Sequence, residues 1–335
     1  MISLSQNVSL RPYNTFDIDV PVEYFGELEN AQDLPVLAAE YPYKKRVLGG
    51  GSNVLLTAPV AGLVLRNRLK GITIFKEDDR YIWLEAQAGE SWHGLVMHTV
   101  ENGLGGLENL ALIPGSVGAS PIQNIGAYGA EVRETIVEVR AWNWEDRAFI
   151  TLSNGDCRFG YRDSIFKHSL KDKLVVTSVI FRLDKTPALR TSYGAINDEL
   201  QRMGAEPSVA TVAAAVIRIR QSKLPDPAVI GNAGSFFKNP TIPIAQYQAL
   251  QVRFPSMPSY PVNSAEVKIP AGWLIESCGL KGYRKGDAGV HAKQALVLVN
   301  YGRATGNELW QLSSDVLTAV KEKFGIELER EVQVW

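Results

Sequence analysis

Three stretches beyond residue 157 carry reactive side chains in settings that could use them. In Arg158-Phe159-Gly160-Tyr161-Arg162-Asp163-Ser164, aromatic and basic residues alternate. Arg162 presents a planar fork of donors that matches a carboxylate better than a lysine does. In Gly231-Asn232-Ala233-Gly234-Ser235-Phe236-Phe237-Lys238-Asn239-Pro240, two glycines, a serine and paired aromatics read as a rigid turn that displays Ser235. The flanking residues do not form G-x-S-x-G, so a hydrolase-type nucleophile elbow is unsupported. In Leu328-Glu329-Arg330-Glu331-Val332, alternation along a strand puts both acids on one face. Each stretch also has a reading without chemistry: a surface strand with an Arg–Asp pair, a structural turn serine, and an exposed charged face near a chain end.

A different chemistry is written between Gly103 and Gly129, where seven glycines occur in 27 residues and Glu108 is the single charged side chain. Glycine lets the backbone approach a ligand closely, and successive N–H groups can then hold an anion without lysine or arginine. A second cluster, Gly49-Gly50-Gly51-Ser52-Asn53, follows the apolar Val47-Leu48 and reads as a strand entering another such turn. Together the two suggest a pyrophosphate-bearing ligand, with tight structural turns as the alternative. The helix-based nucleotide motifs fail: Val54 stands where a third glycine of G-x-G-x-x-G is needed, and no G-K-[ST] exists. The ligand is therefore expected among strands and loops.

The composition narrows the class. A net charge of −1, with 45% hydrophobic and 21% charged residues, describes a globular chain without an electrostatic footprint for nucleic acid. Cys157 and Cys278 lie 121 positions apart and His93, His98, His168 and His291 have no metal-ligand spacing, so no metal site and a reducing, cytoplasmic setting are expected. No signal peptide is expected at Met1–Leu10, and the apolar run Val209–Ile217 is too short to cross a bilayer.

The elements that must position these residues follow from periodicity. Short β-branched runs at Gly62–Leu65, Ile72–Phe75 and Tyr81–Leu84 predict strands, as do Thr135–Arg140, Arg147–Leu152 and Leu174–Leu183. Ser91 is the expected cap of a helix reaching Asn102 and closed by Gly103. Later helices are expected at Ser208–Gln221, Ile244–Phe254, Ala271–Cys278 and Asn307–Phe324, with strands at Ala295–Asn300 and Ile326–Val334.

The identity and order of these segments resemble the UDP-N-acetylenolpyruvoylglucosamine reductases, flavoproteins of peptidoglycan precursor synthesis. The likeness runs from Asn14-Thr15-Phe16 through GGGSN, the glycine-rich segment, RFGYRDSIFKH, KLPDP, GNAGSFFKNP, AGWLIE, QALVLVN and LEREV, nearly the whole chain. It implies an α+β fold of the FAD-binding vanillyl-alcohol-oxidase (PCMH) type with a separate α+β substrate-binding domain. The implied divisions are FAD-binding subdomains at 1–70 and 71–217, a substrate-binding domain at 218–325, and a terminal strand at 326–335 returning to the active site. The implied reaction is NADPH-driven reduction of UDP-N-acetylglucosamine enolpyruvate to UDP-N-acetylmuramate.

By the same resemblance, non-covalent FAD is held by Gly49, Gly50, Gly51, Ser52, Asn53, Pro114, Gly115, Ser116, Gly118, Ser120, Gln123, Asn124, Ile125 and Gly126. Tyr161, Tyr193, Lys223, Lys238, Asn239 and Gln294 match substrate- or NADPH-contacting positions, and Tyr193-Gly194 suggests the subgroup with a tyrosine-bearing lid. Arg162 and Glu331 would stabilise an enolate-like intermediate, and Ser235 would supply the proton. One departure is Arg330, because the family commonly has proline between the two acids of the terminal strand. The implied partners are small molecules, with no nucleic acid, no membrane and a monomeric enzyme. Two alternatives remain open here: a flavin-dependent sugar or alcohol oxidase of the same fold, and a non-catalytic nucleotide-sugar-binding protein.

Overall fold

A computed structural model describes every residue except Met1, Tyr43 and Gly194. The chain divides into two compact units, each made of several chain segments. The first comprises Met1–Val8, Val22–Gly50 and Val60–Ser222, and the second Ser9–Pro21, Gly51–Pro59 and Lys223–Trp335. Two short N-terminal pieces thus pack with the carboxyl-terminal third, while sequence order alone groups them with residues 1–70.

The first unit holds two sheets. In one, the strands run in the order Leu4–Ser9, Pro21–Leu28, Val60–Asn67, Lys45–Leu48, and the last three are parallel. The other is a five-stranded antiparallel sheet ordered Ala148–Ser153, Ile136–Asn143, Leu174–Asp184, Tyr81–Gln87, Ile72–Glu77. Leu174–Asp184 sits at its centre and is buried almost throughout, as suits a strand whose apolar runs Leu174–Val176 and Val179–Phe181 flank only Thr177 and Ser178. The Trp92–Glu101 helix begins where Ser91 accepts from the Gly94 N–H at 3.2 Å, and Gly103 follows it with φ +68°. Such a cap is worth about 1 kcal/mol. Trp92 is buried edge-on to Phe181 at 5.9 Å and donates its indole N–H to the Leu110 carbonyl, tying the glycine-rich segment to the core.

The Val209–Lys223 helix completes this unit and buries Val212, Ala213 and Val216, the face its spacing predicts. The Ile196–Met203 helix, which the sequence reading passed over, buries only Ile196 and Leu200.

The second unit is α+β as expected. A four-stranded sheet ordered Gly231–Ser235, Val297–Asn300, Ala288–Val290, Arg284–Lys285 lies beside a three-stranded one and helices Ile244–Arg253, Ala271–Ser277 and Gly306–Phe324. The Asn300 amide donates to the Phe16 carbonyl and the Asn232 N–H to Thr15, which explains why residues 9–21 belong here. Two expectations change. Gly231–Ser235 is a strand rather than a free turn, with its irregularity at Gly234, φ +70°. The predicted strand Ile326–Val334 is only partly a strand: a bridge pairs Arg330 with Phe237, and Gln333–Val334 runs parallel to Val54–Leu55. Ile326, Leu328 and Val332 are still buried between exposed or half-buried acids, because an extended chain alternates its faces whether or not a ladder is complete.

No helix among the described residues is long and apolar enough to cross a membrane.

Candidate active site

Gly49 and Gly50 meet the Gly115–Ser116 turn within the first unit. A Cβ on Gly50 would stand 2.9 Å from the Gly115 Cα, and one on Gly49 would stand 2.3 Å from the Ser116 hydroxyl. Backbone lies directly on backbone, which only glycine permits. Among the described residues, the N–H group of Gly50 has no acceptor, nor do those of Gly115 and Ser116. Further along, Val117, Gly118, Ala119 and Ser120 spend their N–H groups on nearby carbonyls. The capacity to hold an anion therefore narrows to the two glycine turns themselves. This is a cradle that a side chain would fill, and it fits a pyrophosphate.

The predicted cofactor side chains are less available. Asn124 is fully buried, with φ +44°, and its amide donates to Glu131 and Gly160 while accepting from the Arg133 N–H. Ser120 donates to Val117 at 2.7 Å. Both side chains brace the loop; Ile125 is buried and spends its backbone on Ser120 and Val132, the Gly126 carbonyl accepts from Arg162, and Pro114 is exposed.

That bracing brings two sequence motifs together. Ser164 donates to the Ile122 carbonyl at 2.5 Å, and the Arg162 guanidinium donates to the carbonyls of Asn124 and Gly126. Arg162 adopts φ +51°, an unusual conformation for a residue with a side chain. Its neighbour Asp163 pairs with His168 at 2.9 Å, so the expected Arg–Asp pair is instead a His–Asp pair. Tyr161 lies beside Arg162, and Tyr193 is half-exposed, edge-on to Tyr128 at 6.4 Å; Gly194, the other half of the expected lid pair, lies outside the described residues.

Sequence reasoning missed Arg220. It follows Val209, Val212, Ala213 and Val216 on the inward face of its helix, where helical spacing marks it as the one charge on an apolar stripe. Its Nε donates to the Leu112 carbonyl at 3.3 Å, and among the described residues it has no carboxylate partner. Burial pulls its guanidinium below the ordinary arginine value, Tyr128 opposes that shift, and the nearby Arg162 charge adds to it. Two cations held near one another in this way favour a bound anion. A separate cavity of about 230 Å3, lined by Glu108 and Asn109 of the glycine-rich segment and by Glu134, Arg182 and Arg190, holds none of the predicted cofactor, substrate or catalytic residues.

In the second unit, the Ser235 and Glu331 motifs are adjacent. The Glu331 N–H donates to Phe236 at 2.8 Å and the Lys238 N–H to Glu329 at 2.9 Å, flanking the Phe237–Arg330 bridge. Phe236 and Phe237 are buried and anchor this ribbon. Ser235 pairs with Val297 just beyond the Gly234 irregularity, and among the described residues its hydroxyl has no hydrogen-bond partner. A bulge of this kind re-aims the side chain that follows it. Gln294 begins the tight turn into Val297, placing it near the same strand end. Asn53 accepts from the Gln333 N–H and donates to the Glu331 carbonyl, so the last residue of GGGSN also braces the terminal segment.

Other predicted residues are occupied or apart. Lys238 is ion-paired with Glu329, and Asn239 accepts from the Ala271 N–H at 2.9 Å to cap a helix. Lys223 is exposed at the end of its helix. Among the described residues no group of three or more His, Cys, Asp or Glu is placed to hold a metal.

Comparison with known proteins fits this geometry. Residues 24–151 match the model of an FAD binding domain, and residues 226–335 match that of the UDP-N-acetylenolpyruvoylglucosamine reductase C-terminal domain. The chain is 54% identical to the UDP-N-acetylenolpyruvoylglucosamine reductase of Chromobacterium violaceum, over 97% of each chain. It is 49% identical to that of Flavobacterium johnsoniae, over 99% of this chain and 100% of the other. Among solved structures, the reductase of this name from Thermus caldophilus aligns over 100% of this chain and 99% of its own, with a TM-score of 0.69 and 26% identity.

Proposed function

We propose how this site works from the premise that the chain belongs to the UDP-N-acetylenolpyruvoylglucosamine reductase family. The protein is an FAD-dependent oxidoreductase of the vanillyl-alcohol-oxidase fold type that reduces UDP-N-acetylenolpyruvoylglucosamine in peptidoglycan precursor synthesis, with NADPH as hydride donor. Likeness to reductases of one name along the full chain carries this conclusion over the oxidase and the non-catalytic binding protein.

When bound, FAD supplies the relay that takes hydride from NADPH and passes it to the enol ether. The turns at Gly50 and Gly115–Ser116 hold its pyrophosphate through N–H groups that have no acceptor among the described residues. The substrate's enolpyruvyl group is electron-rich, and it accepts hydride only when its carboxylate is polarised. Arg162 does this, with Arg220 as a second cation close by. Glu331 hydrogen-bonds the enolate-like intermediate, and Ser235 gives its proton to the α-carbon. A serine hydroxyl is a weak acid, so the step relies on a strongly basic intermediate, and among the described residues Ser235 has no competing partner to satisfy first. Lys238 is engaged by Glu329, so water rather than Lys238 returns the proton to Ser235. Tyr193 serves as the lid over the sugar nucleotide, and the enzyme works as a cytoplasmic monomer on small molecules.

The absorption spectrum tests this first. The purified chain is expected to be yellow, to bleach with NADPH in the absence of oxygen, and to recover colour on adding the enolpyruvyl substrate. A colourless protein supports the binding-protein reading; rapid oxygen consumption without NADPH supports the oxidase.

The glycine turn gives a second expectation. Gly50→Ala forces a methyl group onto the Gly115 backbone at 2.9 Å, where nothing flexible can yield. Overpacking of this kind costs about 1–3 kcal/mol, or roughly a five- to hundredfold weaker hold on FAD. The flavin-to-protein absorbance ratio after gel filtration measures it. Full flavin retention would mean that the turn does not shape the cofactor site.

A further inference from the structure

We infer that Arg330 is a positioning residue for Glu331, doing by side-chain contacts what proline would do at this place by a fixed backbone angle. The inference rests on the catalytic role given to Glu331 above.

Arg330 is half-buried, and its guanidinium lies 3.6 Å from the ring centroid of Trp310. Its Nε donates to the Ser313 hydroxyl at 2.8 Å and its terminal nitrogen to Ser314 at 2.7 Å. Trp310, Ser313 and Ser314 share one face of the Gly306–Phe324 helix, so stack and fork clamp residue 330 to a rigid element. That helix is itself held at its start by the Thr305–Glu308 capping box and ends at Gly325, φ +65°. On the other side, Glu329 accepts from Lys238 and Glu331 donates to Phe236, so Arg330 has a fixed contact on its side chain and a fixed backbone on either flank.

The backbone pattern explains why both residue types suit the position. The two hydrogen bonds of the bridge use the carbonyl of Glu329 and the N–H of Glu331, and no backbone bond among the described residues uses the N–H of Arg330. Proline lacks only that N–H, so it costs this ribbon nothing and stiffens the chain just before Glu331. Arginine leaves the backbone free, and the guanidinium clamp supplies the missing restraint. Lysine cannot, because it has neither the planar face for Trp310 nor the fork for two hydroxyls.

The test is a set of variants of the FAD-loaded enzyme, measured for kcat, KM for the enolpyruvyl substrate, rate of flavin bleaching by NADPH, and melting temperature. Misplacing a reacting group by about 1 Å costs up to about a hundredfold in rate. Arg330→Ala and Arg330→Lys are therefore expected to lower kcat by about ten- to hundredfold, with bleaching unchanged, while Arg330→Pro stays near the wild type. Arg330→Ala added to Glu331→Gln is expected to cost nothing further, since the effect passes through Glu331. Should Arg330→Ala fail to fold, the Lys and Pro variants decide alone. Wild-type kcat in Arg330→Lys overturns the inference. So does a folded Arg330→Pro slower than tenfold, or an equal loss from Arg330→Ala on the Glu331→Gln background. Normal turnover by Glu331→Gln instead sinks the role of Glu331, whereas a dead Glu331→Gln beside an unaffected Arg330→Ala sinks only the part given to Arg330.

Discussion

Ser235→Ala leaves the bleaching of the flavin by NADPH at its wild-type rate and lowers reduction of the enolpyruvyl substrate by about a hundred- to ten-thousandfold, the usual range for removing a general acid. The expectation rests on where the residue sits. Ser235 ends a strand immediately after Gly234, whose φ of +70° breaks the register between Asn232 and Ser235. The buried Asn232 amide fixes that break by accepting from the Gly234 N–H at 3.0 Å and donating to Ile230 at 2.8 Å. A hydroxyl so rigidly placed, yet without a partner among the described residues, is spare capacity in a strand that pairs with Val297–Asn300 at Gly231, Asn232 and Ser235. Alanine removes one oxygen and disturbs no hydrogen bond, so melting temperature and flavin content should hold. Stopped-flow measurement of the two half-reactions separates the outcomes. If bleaching and substrate reduction fall together, Ser235 supports the cofactor and is not the proton donor.

The same strand shows how far the sequence could be read. The glycines and paired aromatics announced a rigid display of Ser235, and rigidity is what Asn232, Gly234 and the buried Phe236 and Phe237 provide. The element type was missed because Gly-Asn-Ala-Gly-Ser has no β-branched residue and no alternation; its strand character comes from pairing with Val297–Asn300. Tertiary pairing overrides weak local preference. Where a segment buries a whole stripe, as Val209–Lys223 does, periodicity sufficed. Leu4–Ser9 buries no side chain, so no pattern was available to find there; Ile196–Met203 does carry one, with Ile196 and Leu200 buried at helical spacing, but it is short. The placement of Ser9–Pro21 and Gly51–Pro59 beside the carboxyl-terminal third depends on contacts nearly 300 residues apart, such as Asn300 to Phe16, which no local rule encodes. At the site, the close backbone approach of Gly50 to Gly115 was legible, because glycine is the residue that permits it. Side-chain roles were less so: Asn124 and Asn239, both read as ligand contacts, spend their amides on the protein's own backbone.

Arg162→Gly is the variant that separates chemistry from architecture, because its structural effects nearly offset. The guanidinium bonds to the Asn124 and Gly126 carbonyls are worth about 1 kcal/mol each. Against this, a left-handed φ of +51° costs a residue with a side chain about 1–2 kcal/mol, which glycine does not pay. From these two contributions, with the looser unfolded chain counted, stability should fall by about 1–2 kcal/mol. Turnover should fall at least about a hundredfold, since a preorganised donor at developing charge is worth about 3 kcal/mol. Arg162→Lys should fare little better, because it keeps the charge but loses the fork. The measurement is kcat per bound flavin, so that cofactor loss cannot imitate a catalytic defect. If kcat per flavin in Arg162→Gly stays within fivefold of the wild type, Arg162 only ties the glycine-rich loop in place. Arg220 would then be the better candidate for the substrate carboxylate, since it is the nearby cation without a carboxylate partner among the described residues.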